Sequence, residues 1–363
     1  MATATAYRSV NMDTASIWNG NVTIATATQI QVSDGGYVQN YFGSGFTYNA
    51  YTVTGGTVTS SNYFESGIKI YEITGGSYSA VTVAGYLDSG NIQGLFSYIF
   101  AADDQFNGST YADAVNGYGG NDRMSGNGGN DLLKGGAGND TLNGGTGADT
   151  LIGGTGNDIC VVDNTGDIVT ELSGQGSDLV QSSITYALTA NVEKLTLTGT
   201  TTINGTGNGL ANTLTGNSAA NKLSGLAGND TLNGSGGKDT LIGGAGKDAL
   251  TGGAGNDLFV FNAALSASTN IDTIKDYTAA YDTIQLENGI FTKLATIGAL
   301  SAANFVVGTV AADANDYIVH DNSSGALYYD ADGSGAGAAI QFATVYSSGT
   351  APAALVAAEF TVI

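Results

Sequence analysis

The middle of the chain has one apolar position every nine residues, and an aspartate stands two residues before it. In a first block the aspartates are Asp113, Asp122, Asp131, Asp140, Asp149 and Asp158, and the apolar residues are Val115, Met124, Leu133, Leu142, Leu151 and Cys160. A second block has Asp230, Asp239, Asp248 and Asp257, followed by Leu232, Leu241, Leu250 and Phe259. Two units before it carry Asn212 and Asn221 in the acidic position. A constant period over so many units predicts a repeat fold.

Glycine occupies the turn half of each unit. Five units read Gly-Gly-x-Gly-x-Asp in full, as in Gly135–Asp140, and four more lose only the second glycine, as in Gly225–Asp230. Such segments permit tight turns with positive φ. The three residues that follow the aspartate-containing turn predict a short strand whose middle side chain points inward. We expect two units to form one coil, so that like residues two units apart stack at about 4.8 Å.

Stacking places each aspartate next to the corresponding aspartate two units away. Two unpaired carboxylates at that distance repel by about 3–4 kcal/mol at an effective dielectric constant of about 20. A divalent cation with oxygen ligands removes this repulsion. Ca²⁺ accepts carboxylate and carbonyl oxygens together in a flexible geometry, whereas Mg²⁺ demands a strict octahedron. The aspartate columns therefore predict calcium sites, and a metal-free glycine-rich solenoid leaves these columns unexplained.

The units over 108–161 and 207–260 resemble the RTX (repeats-in-toxin) nonapeptide, a calcium-binding parallel β-helix repeat. The resemblance implies several bound Ca²⁺ ions, held by the aspartates and by backbone groups at the first and third positions of the units. The metal-binding residues expected in the first block are Asp113, Gly117, Gly119, Asp122, Gly126, Gly128, Asp131, Gly135, Ala137, Asp140, Gly144, Thr146, Asp149, Gly153, Thr155 and Asp158. Those expected in the second block are Gly225, Ala227, Asp230, Gly234, Gly236, Asp239, Gly243, Ala245, Asp248, Gly252, Ala254 and Asp257.

The sequence thus predicts an all-β protein with three parts. An N-terminal β-rich domain over 1–107 precedes a parallel β-roll over 108–260, and a β-rich cap and secretion region covers 261–363. The spacer 162–206 keeps short strand signals and is expected to continue the solenoid with longer coils. Its acidic residues Asp163, Asp167 and Asp178 either join calcium sites or are solvated loop acids.

The C-terminal part resembles the tails of secreted RTX proteins. Asp272–Leu286 resembles the flank that caps such rolls, and a solenoid needs a cap because its last coil otherwise exposes core and unpaired strand. In Gly325–Gly333, Asp330 and Asp332 either hold one more calcium ion or form a plain Asp-Gly turn. The last residues, Ala358–Ile363, are similar to uncleaved signals read by type I secretion systems. Because the N-terminus lacks an apolar signal-peptide region, we expect one-step export from a Gram-negative bacterium.

Composition excludes several classes of protein. The 363 residues carry a net charge of −22 with only 10 Lys and Arg, which argues against a nucleic-acid binder. Glycine contributes 56 residues but proline only one, which excludes collagen. A single cysteine excludes an intramolecular disulfide framework, and no apolar run reaches the roughly 18 residues of a membrane span.

Catalytic motifs are mostly absent from the sequence. The only histidine is His320, so a zinc protease helix with two histidines cannot form, and no Gly-x-Ser-x-Gly elbow of a lipase occurs. Cys160 occupies an inward position and is expected to be a core thiol. His320 is expected to be a surface or cap residue. An enzyme that uses acids alone stays open, with Asp103 and Asp104, or Glu65 and Glu72, as unsupported candidates.

Three functions from different classes follow for the whole chain. We favour a non-enzymatic structural protein that folds on calcium and assembles with itself into a surface layer, fibre or matrix. An adhesin-like protein that binds a glycan or cell-surface polysaccharide is the alternative, and an enzyme with an acid-based N-terminal site comes last. The leading segment Thr3–Tyr7 alternates as a strand without an evident hairpin partner, so we expect it to pair with a sheet edge of another copy.

Overall fold

A computed structural model of the chain describes residues 3–6, 21–25, 29–34, 37–48, 53–65, 68–74, 77–79 and 97–363. The chain divides into two compact units, Met1–Leu179 and Val180–Ile363. Both are built almost entirely of strands, which confirms the all-β class. The three domains given above, 1–107, 108–260 and 261–363, are not tested by this division into two units or by the strand content, and they stay a prediction. In the described part of the chain no helix is long and apolar enough to cross a membrane.

The first unit begins with an antiparallel sheet. Its strands are β1 (Thr3–Ala6), β2 (Asn21–Ala25), β3 (Gln29–Asp34), β4 (Tyr37–Tyr48), β5 (Val53–Glu65), β6 (Ile68–Thr74) and β7 (Tyr78–Ser79). Strands β2 to β6 pair with their chain neighbours, and β7 adds to β5. Strands that follow one another along the chain thus lie side by side from β2 to β6, so the sheet is a meander.

The first strand does not have a free edge. β1 pairs antiparallel with β6, Thr3 opposite Thr74, and parallel with β8 (Gln105–Asn107), Thr3 opposite Gln105. The segment has no local hairpin partner, as expected, but the expected pairing of Thr3–Ala6 with another copy is wrong, because β6 and β8 of the same chain already pair with this strand. Tyr7 lies outside the described residues. The partners are far away in sequence, which is why a search for a local hairpin misses them. Among the described strands of the meander, β2 pairs with β3 alone and the short β7 pairs with β5 alone, so both are at outer positions.

The repeats of the first unit form a parallel roll. One side contains β8, β10 (Arg123–Ser125), β12 (Thr141–Asn143) and β14 (Ile159–Val162). The other side contains β9 (Ala114–Asn116), β11 (Leu132–Ala137), β13 (Thr150–Thr155) and β15 (Ile168–Thr170). Leu133 stands opposite Leu151, and Met124 opposite Leu142. This register confirms that two nonapeptides make one coil.

The second unit repeats this architecture. Its strands up to the cap are β16 (Leu179–Ser182), β17 (Tyr186–Ala187), β18 (Lys194–Leu197), β19 (Gly205–Thr206), β20 (Thr213–Thr215), β21 (Lys222–Ala227), β22 (Thr231–Asn233), β23 (Gly236–Gly237), β24 (Thr240–Ala245), β25 (Ala249–Thr251), β26 (Ala254–Gly255) and β27 (Leu258–Phe261). Parallel pairs run from β18 through β20 and β22 to β25, and from β17 through β19, β21 and β24 to β27. The spacer thus contributes coils to both units: β15 stacks on β13, and β17 and β18 stack on the second block.

Each roll encloses a core formed by the apolar side chains that recur every nine residues. The fully buried members include Leu133, Leu142, Leu151, Leu214, Leu223, Leu232, Leu241, Leu250 and Phe259. Cys160 is buried in the same position, in agreement with its assignment as a core thiol. The short strands explain why this position is buried. Each has a polar, an apolar and a polar residue in turn, and only the middle side chain points inward.

The cap of the second unit follows the last repeat. Its strands are β28 (Asp272–Ile274), β29 (Thr283–Leu286), β30 (Gly298–Ala299), β31 (Phe305–Val307), β32 (Ile318–Asp321), β33 (Ala326–Tyr329), β34 (Ile340–Ser348), β35 (Ala351–Pro352) and β36 (Phe360–Val362), with short 3₁₀ helices at Ala302–Asn304 and Ala357–Glu359. β28 and β29 continue the two sides of the roll, and β34 and β36 add to them in parallel. The C-terminal strand is therefore part of the cap, with Phe360 fully buried.

His320 lies inside this cap. Its side chain is fully buried, stacks on Phe305, and lies 2.9 Å through Nε2 from the carbonyl oxygen of Ala353. Burial lowers the pKa of the imidazole. Of the two expected positions for His320, surface or cap, the cap is the correct one. The imidazole ring is packed in the interior of the cap.

Candidate calcium-binding sites

The turns of the repeats bring successive coils into close backbone contact. Gly138, with φ of 129°, shows why these positions need glycine: a Cβ atom there would collide with the carbonyl of Gly120 in the preceding coil. A side chain at this point would both strain the backbone and separate the coils. The turns therefore stack without gaps, and the aspartates that end them lie one above another.

The aspartates form two columns in each unit. In every step the Oδ1 atom of an aspartate accepts a hydrogen bond of 2.7–3.1 Å from the backbone amide of the column residue in the preceding coil. The first unit has the columns Asp104–Asp122–Asp140–Asp158–Asp178 and Asp113–Asp131–Asp149–Asp167. The second unit has Asn212–Asp230–Asp248–Asp272 and Asn221–Asp239–Asp257–Asp282. Alternate units therefore share a column, as the coil predicts.

The second oxygen of these aspartates is buried without a hydrogen-bond partner. This holds for Oδ2 of nine of them: Asp122, Asp131, Asp140, Asp149, Asp158, Asp230, Asp239, Asp248 and Asp257. The residue Asp140, for example, is only 1% exposed. Burial of an unsatisfied carboxylate oxygen costs several kcal/mol, so an oxygen-seeking cation is the natural partner of each one.

The surroundings of these oxygens fit calcium. The first glycine of each unit leaves space beside the carboxylate of its own unit: a Cβ atom at Gly117 would contact Oδ2 of Asp122 and, at 2.5 Å, the carbonyl oxygen of Gly135 in the next coil. The same arrangement recurs at Gly126 with Asp131 and Gly144. A carboxylate oxygen and a backbone carbonyl oxygen thus converge on one point, and Ca²⁺ takes both kinds of ligand.

Backbone oxygens are essential to this ligand set. Within the described ranges no three His, Cys, Asp or Glu side chains group together in a way that would hold a metal ion. Each predicted site therefore combines few carboxylates with carbonyl groups of stacked turns. The third-position residues follow this stacking, since Gly119 pairs with Ala137 and Gly128 with Thr146 across coils. Direct ligation by the first- and third-position residues remains a prediction.

Several column positions have their second polar side-chain atom hydrogen-bonded within the chain; Asp167 and Asp282, for example, accept backbone amides through Oδ2. Asn212 donates from Nδ2 to the carbonyl oxygen of Val192, and Asn221 donates to that of Ile203 at 2.6 Å. The side-chain amide of asparagine is neutral and donates a hydrogen bond to a nearby carbonyl oxygen, whereas an aspartate oxygen at the same place would need a cation. Asp113, in the first unit, accepts from the amide and hydroxyl of Ser109 through Oδ2. Its place among the expected metal ligands is untested.

Some column members lay outside the nonapeptides. Asp104, Asp272 and Asp282 were not among the expected ligands, and Asp272 and Asp282 follow their column neighbours by 24 and 25 residues instead of 18. Of the spacer acids, Asp167 and Asp178 end the two columns of the first unit, while the amide of Asp163 donates to Asp167. The intervals of 24 and 25 residues break the nine-residue period, so that period does not find Asp272 and Asp282. Asp104 lies in the period, nine residues before Asp113 and two before the apolar Phe106, which is the signal that could have found it.

The predicted extra site in the tail has the geometry of a turn. Asp332 accepts a hydrogen bond of 2.9 Å from the amide of Gly337, and Asp330 accepts one of 3.3 Å from the amide of Asp332. These bonds account for the local Asp-Gly turn. A calcium ion at Asp330 and Asp332 stays a prediction.

Burial raises the pKa of the column carboxylates in the absence of metal. The pKa of Asp122 rises from 3.8 to about 8, that of Asp239 to about 7, and those of Asp131, Asp158 and Asp230 to about 6. Desolvation is the largest cause, and the next carboxylate of the column adds to it, whereas the amide hydrogen bonds act in the opposite direction. The columns therefore hold either protons or a cation.

Comparison with known proteins agrees with this geometry. A family model described as the RTX calcium-binding nonapeptide repeat (4 copies) matches residues 98–133, 125–160, 134–167, 206–241 and 224–259. No curated protein matches the chain. Among solved structures, the extracellular lipase LipA from Serratia marcescens is 17% identical over 72% of this chain and 40% of the lipase, with a TM-score of 0.26. The chain thus spans less than half the length of that protein.

We expect Asp140→Asn to weaken calcium binding within its own column. The amide keeps an acceptor for the Asp122 amide but removes a charged ligand, so the occupancy next to Asp122 and Asp158 should fall more than that next to Asp131. Each lost ion should lower the free energy of unfolding by about 2.7 kcal/mol when calcium is 100 times its dissociation constant. Calcium occupancies in crystal structures and denaturant unfolding measure both effects.

The matched control is Asp103→Asn. Asp103 is exposed and its Oδ1 atom accepts from the amide of Asn121, a bond that an asparagine retains. This variant loses the same charge but no column oxygen, so its calcium occupancy should match that of the parent. Equal losses in the two variants, or ligands shared between consecutive units, would contradict the column arrangement.

The raised pKa values predict an inverse pH dependence for the metal-free protein. The folded columns retain protons that unfolded aspartates release near their ordinary pKa of 3.8, so without calcium the folded state loses stability as the pH rises from about 4 to about 8. Far-ultraviolet circular dichroism in excess chelator should show more β structure at pH 5 than at pH 8. With calcium the dependence should reverse, because protons compete with the metal; a metal-free protein that gains β structure towards pH 8 would refute this assignment.

Proposed function

We propose that this chain, a calcium-binding β-roll protein built on RTX nonapeptide repeats, folds on calcium outside the cell and then assembles with its own copies into a surface layer, fibre or matrix. RTX repeats are typical of secreted extracellular proteins of Gram-negative bacteria. The observation that carries the proposal is the set of buried, unpaired Oδ2 atoms in every aspartate column. Such columns are stable only when a cation or protons occupy them.

Calcium binding and folding are coupled in this proposal. The ligands of one site come from stacked coils, so the site does not exist in the unfolded chain. A ligand that binds only the folded state stabilises it by mass action, and several sites in one roll add their contributions. The chain would stay unfolded where free calcium is scarce and fold where it is abundant.

The C-terminal strand gives this coupling a role in export. β36 holds Phe360 inside the cap, so a secretion machinery that reads the tail would have to meet it before the cap forms. An unfolded chain presents the tail and passes through a channel, and calcium then folds it on the outer side. Type I secretion machinery is the partner that fits this order of events.

We expect calcium to convert a largely unfolded chain into a β-rich one at neutral pH. The physical reason is the repulsion and desolvation of the column carboxylates without metal. A calcium titration followed by far-ultraviolet circular dichroism measures the transition, and magnesium at the same concentration serves as the control because it fits mixed carbonyl sites poorly. An unchanged β spectrum in excess chelator at pH 8 would refute the coupling.

Self-association is proposed through the antiparallel sheet of the first unit. Among its described strands, β2 is the longer of the two with a single partner: its residues Asn21–Ala25 pair with β3 only, whereas the other, β7, has two residues. An edge strand offers main-chain donors and acceptors that a strand of a second copy can pair with. A contact of this kind produces open fibres or layers when the rotation between copies does not close. Bound calcium reduces the net charge of −22 that opposes association.

We expect Thr23→Pro to abolish large assemblies while leaving calcium-dependent folding intact. Thr23 lies at the register shift between Val22 and Ile24, so it has no partner residue in the β3 register. Proline is tolerated at bulges of edge strands; it removes the backbone donor of residue 23, and its ring hinders the pairing of a further strand. Light scattering and electron microscopy with calcium measure assembly.

Thr23→Ala is the matched control for this experiment. It shortens the same side chain but keeps the backbone amide, so it should assemble like the parent. Assembly of the proline variant at the parental rate would exclude β2 as the contact. A parent protein that stays monomeric at high concentration with calcium would overturn self-assembly altogether.

A further inference from the structure

The last repeat coil of each unit differs from the coils before it. In earlier coils the amide of the first glycine donates to a backbone carbonyl of the following coil: Gly117 to Lys134 at 2.7 Å and Gly126 to Asn143 at 2.8 Å. The following coil also supplies the carbonyl oxygen that faces the calcium position, such as that of Gly135 beside Gly117. After the last nonapeptide no such glycine turn follows, so the oxygen must come from elsewhere.

In the first unit a glutamate side chain takes this place. Glu171, which lies in the spacer just after β15, accepts hydrogen bonds from the amides of Gly153 at 2.8 Å and Gly154 at 3.2 Å. Its residue is 4% exposed although it is charged and lies beyond the repeats. Glu171 stands 18 residues after Gly153, and thus occupies the place where Gly135 presents its carbonyl oxygen to Gly117 in an earlier coil.

An unpaired oxygen of the last aspartate faces the same point. Oδ2 of Asp158 is buried without a hydrogen-bond partner, and the whole residue is 1% exposed. A Cβ atom at Gly153 would contact this oxygen, at 2.5 Å, and would also contact Oε1 of Glu171. Two carboxylate oxygens thus converge where the coils before them bring together one carboxylate and one carbonyl oxygen.

The second unit ends in the same way. Asp276 accepts hydrogen bonds from the amides of Gly252 at 2.9 Å and Gly253 at 2.8 Å. Oδ2 of Asp257, in the last nonapeptide, is buried and unpaired, and it lies 2.5 Å from the position of a Cβ atom at Gly252. Two unrelated flanking sequences therefore place a carboxylate on the Gly-Gly amides of a terminal coil.

We propose that Glu171 and Asp276 are calcium ligands that close the terminal site of each roll, Glu171 together with Asp158 and Asp276 together with Asp257. Each terminal site has one more carboxylate than an interior site, which compensates for the missing carbonyl oxygen of a further coil. This raises the negative charge at the site and with it the attraction for a divalent cation. The proposal depends on calcium binding by the repeats and not on self-assembly.

Glu171→Gln tests the first of these sites. Glutamine keeps an acceptor for the Gly153 amide but lacks the charge, so a residue that only caps the turn by hydrogen bonding would leave metal binding unchanged. We expect the variant to bind one calcium ion fewer than the parent, counted by equilibrium dialysis with radioactive calcium, at a calcium concentration where circular dichroism shows a folded chain. Glu287→Gln is the control. The Glu287 side chain accepts a 3.4 Å hydrogen bond from the amide of Gly289 and lies outside the aspartate columns, so this variant should bind the parental number of ions.

An unchanged number of calcium ions in folded Glu171→Gln would overturn the proposal. If the variant fails to fold in saturating calcium, a second measurement tests the site instead: the crystal structure of the parent protein soaked with terbium. An anomalous peak within about 2.6 Å of Oδ2 of Asp158 and Oε1 of Glu171 supports the site, and its absence excludes it. Light scattering on the same samples reports assembly separately, so failure of the assembly proposal would leave this result unaffected.

Discussion

The structure depends on the stacking of aspartate carboxylates along each roll. One oxygen of each carboxylate is used by the coil before it, because it accepts the amide of the preceding aspartate. In most of the repeat aspartates, such as Asp122 and Asp140, the other oxygen is buried and has no hydrogen-bond partner among the described residues. The same side chain thus orders neighbouring coils and creates the need for a cation. The leucine core supplies burial, but it cannot by itself cancel the charge of the columns.

This arrangement makes the roll a conditional fold. Its coils contact only their neighbours, so the free energy of the roll is close to a sum over coils and their interfaces. Bound calcium adds to that sum, and without metal a proton can take its place on a column carboxylate, because burial raises the pKa of Asp122 to about 8.

The ends of the rolls need separate solutions because a periodic structure cannot satisfy its own last coil. The first roll begins on β8, which also pairs with the leading strand β1. The last coils meet side-chain carboxylates from flanking segments at Gly153 and Gly252. In the second unit the cap adds β34 and β36 to both sides, and buried aromatic rings such as Phe291 and Phe342 fill its interior at a ring separation of 5.1 Å. Each device replaces what a further coil would have supplied.

The sequence alone determined everything that repeats. The nine-residue period predicted the coil, the inward position of Leu142 and the columns that contain Asp140, because each depends only on spacing within identical units. Tertiary structure decided what happens once the period is lost. Glu171 stands 18 residues after Gly153, which keeps the interval of one coil, but a glutamate replaces the expected glycine there. Asp276 and Asp272 follow Gly252 and Asp248 by 24 residues, so the nine-residue spacing does not point to them. The partners of Thr3–Ala6 are equally remote, since β6 and β8 lie far along the chain and their pairing is a long-range choice. Local periodicity determines contacts between neighbouring coils, whereas contacts at the ends depend on which distant segments the folded chain brings together.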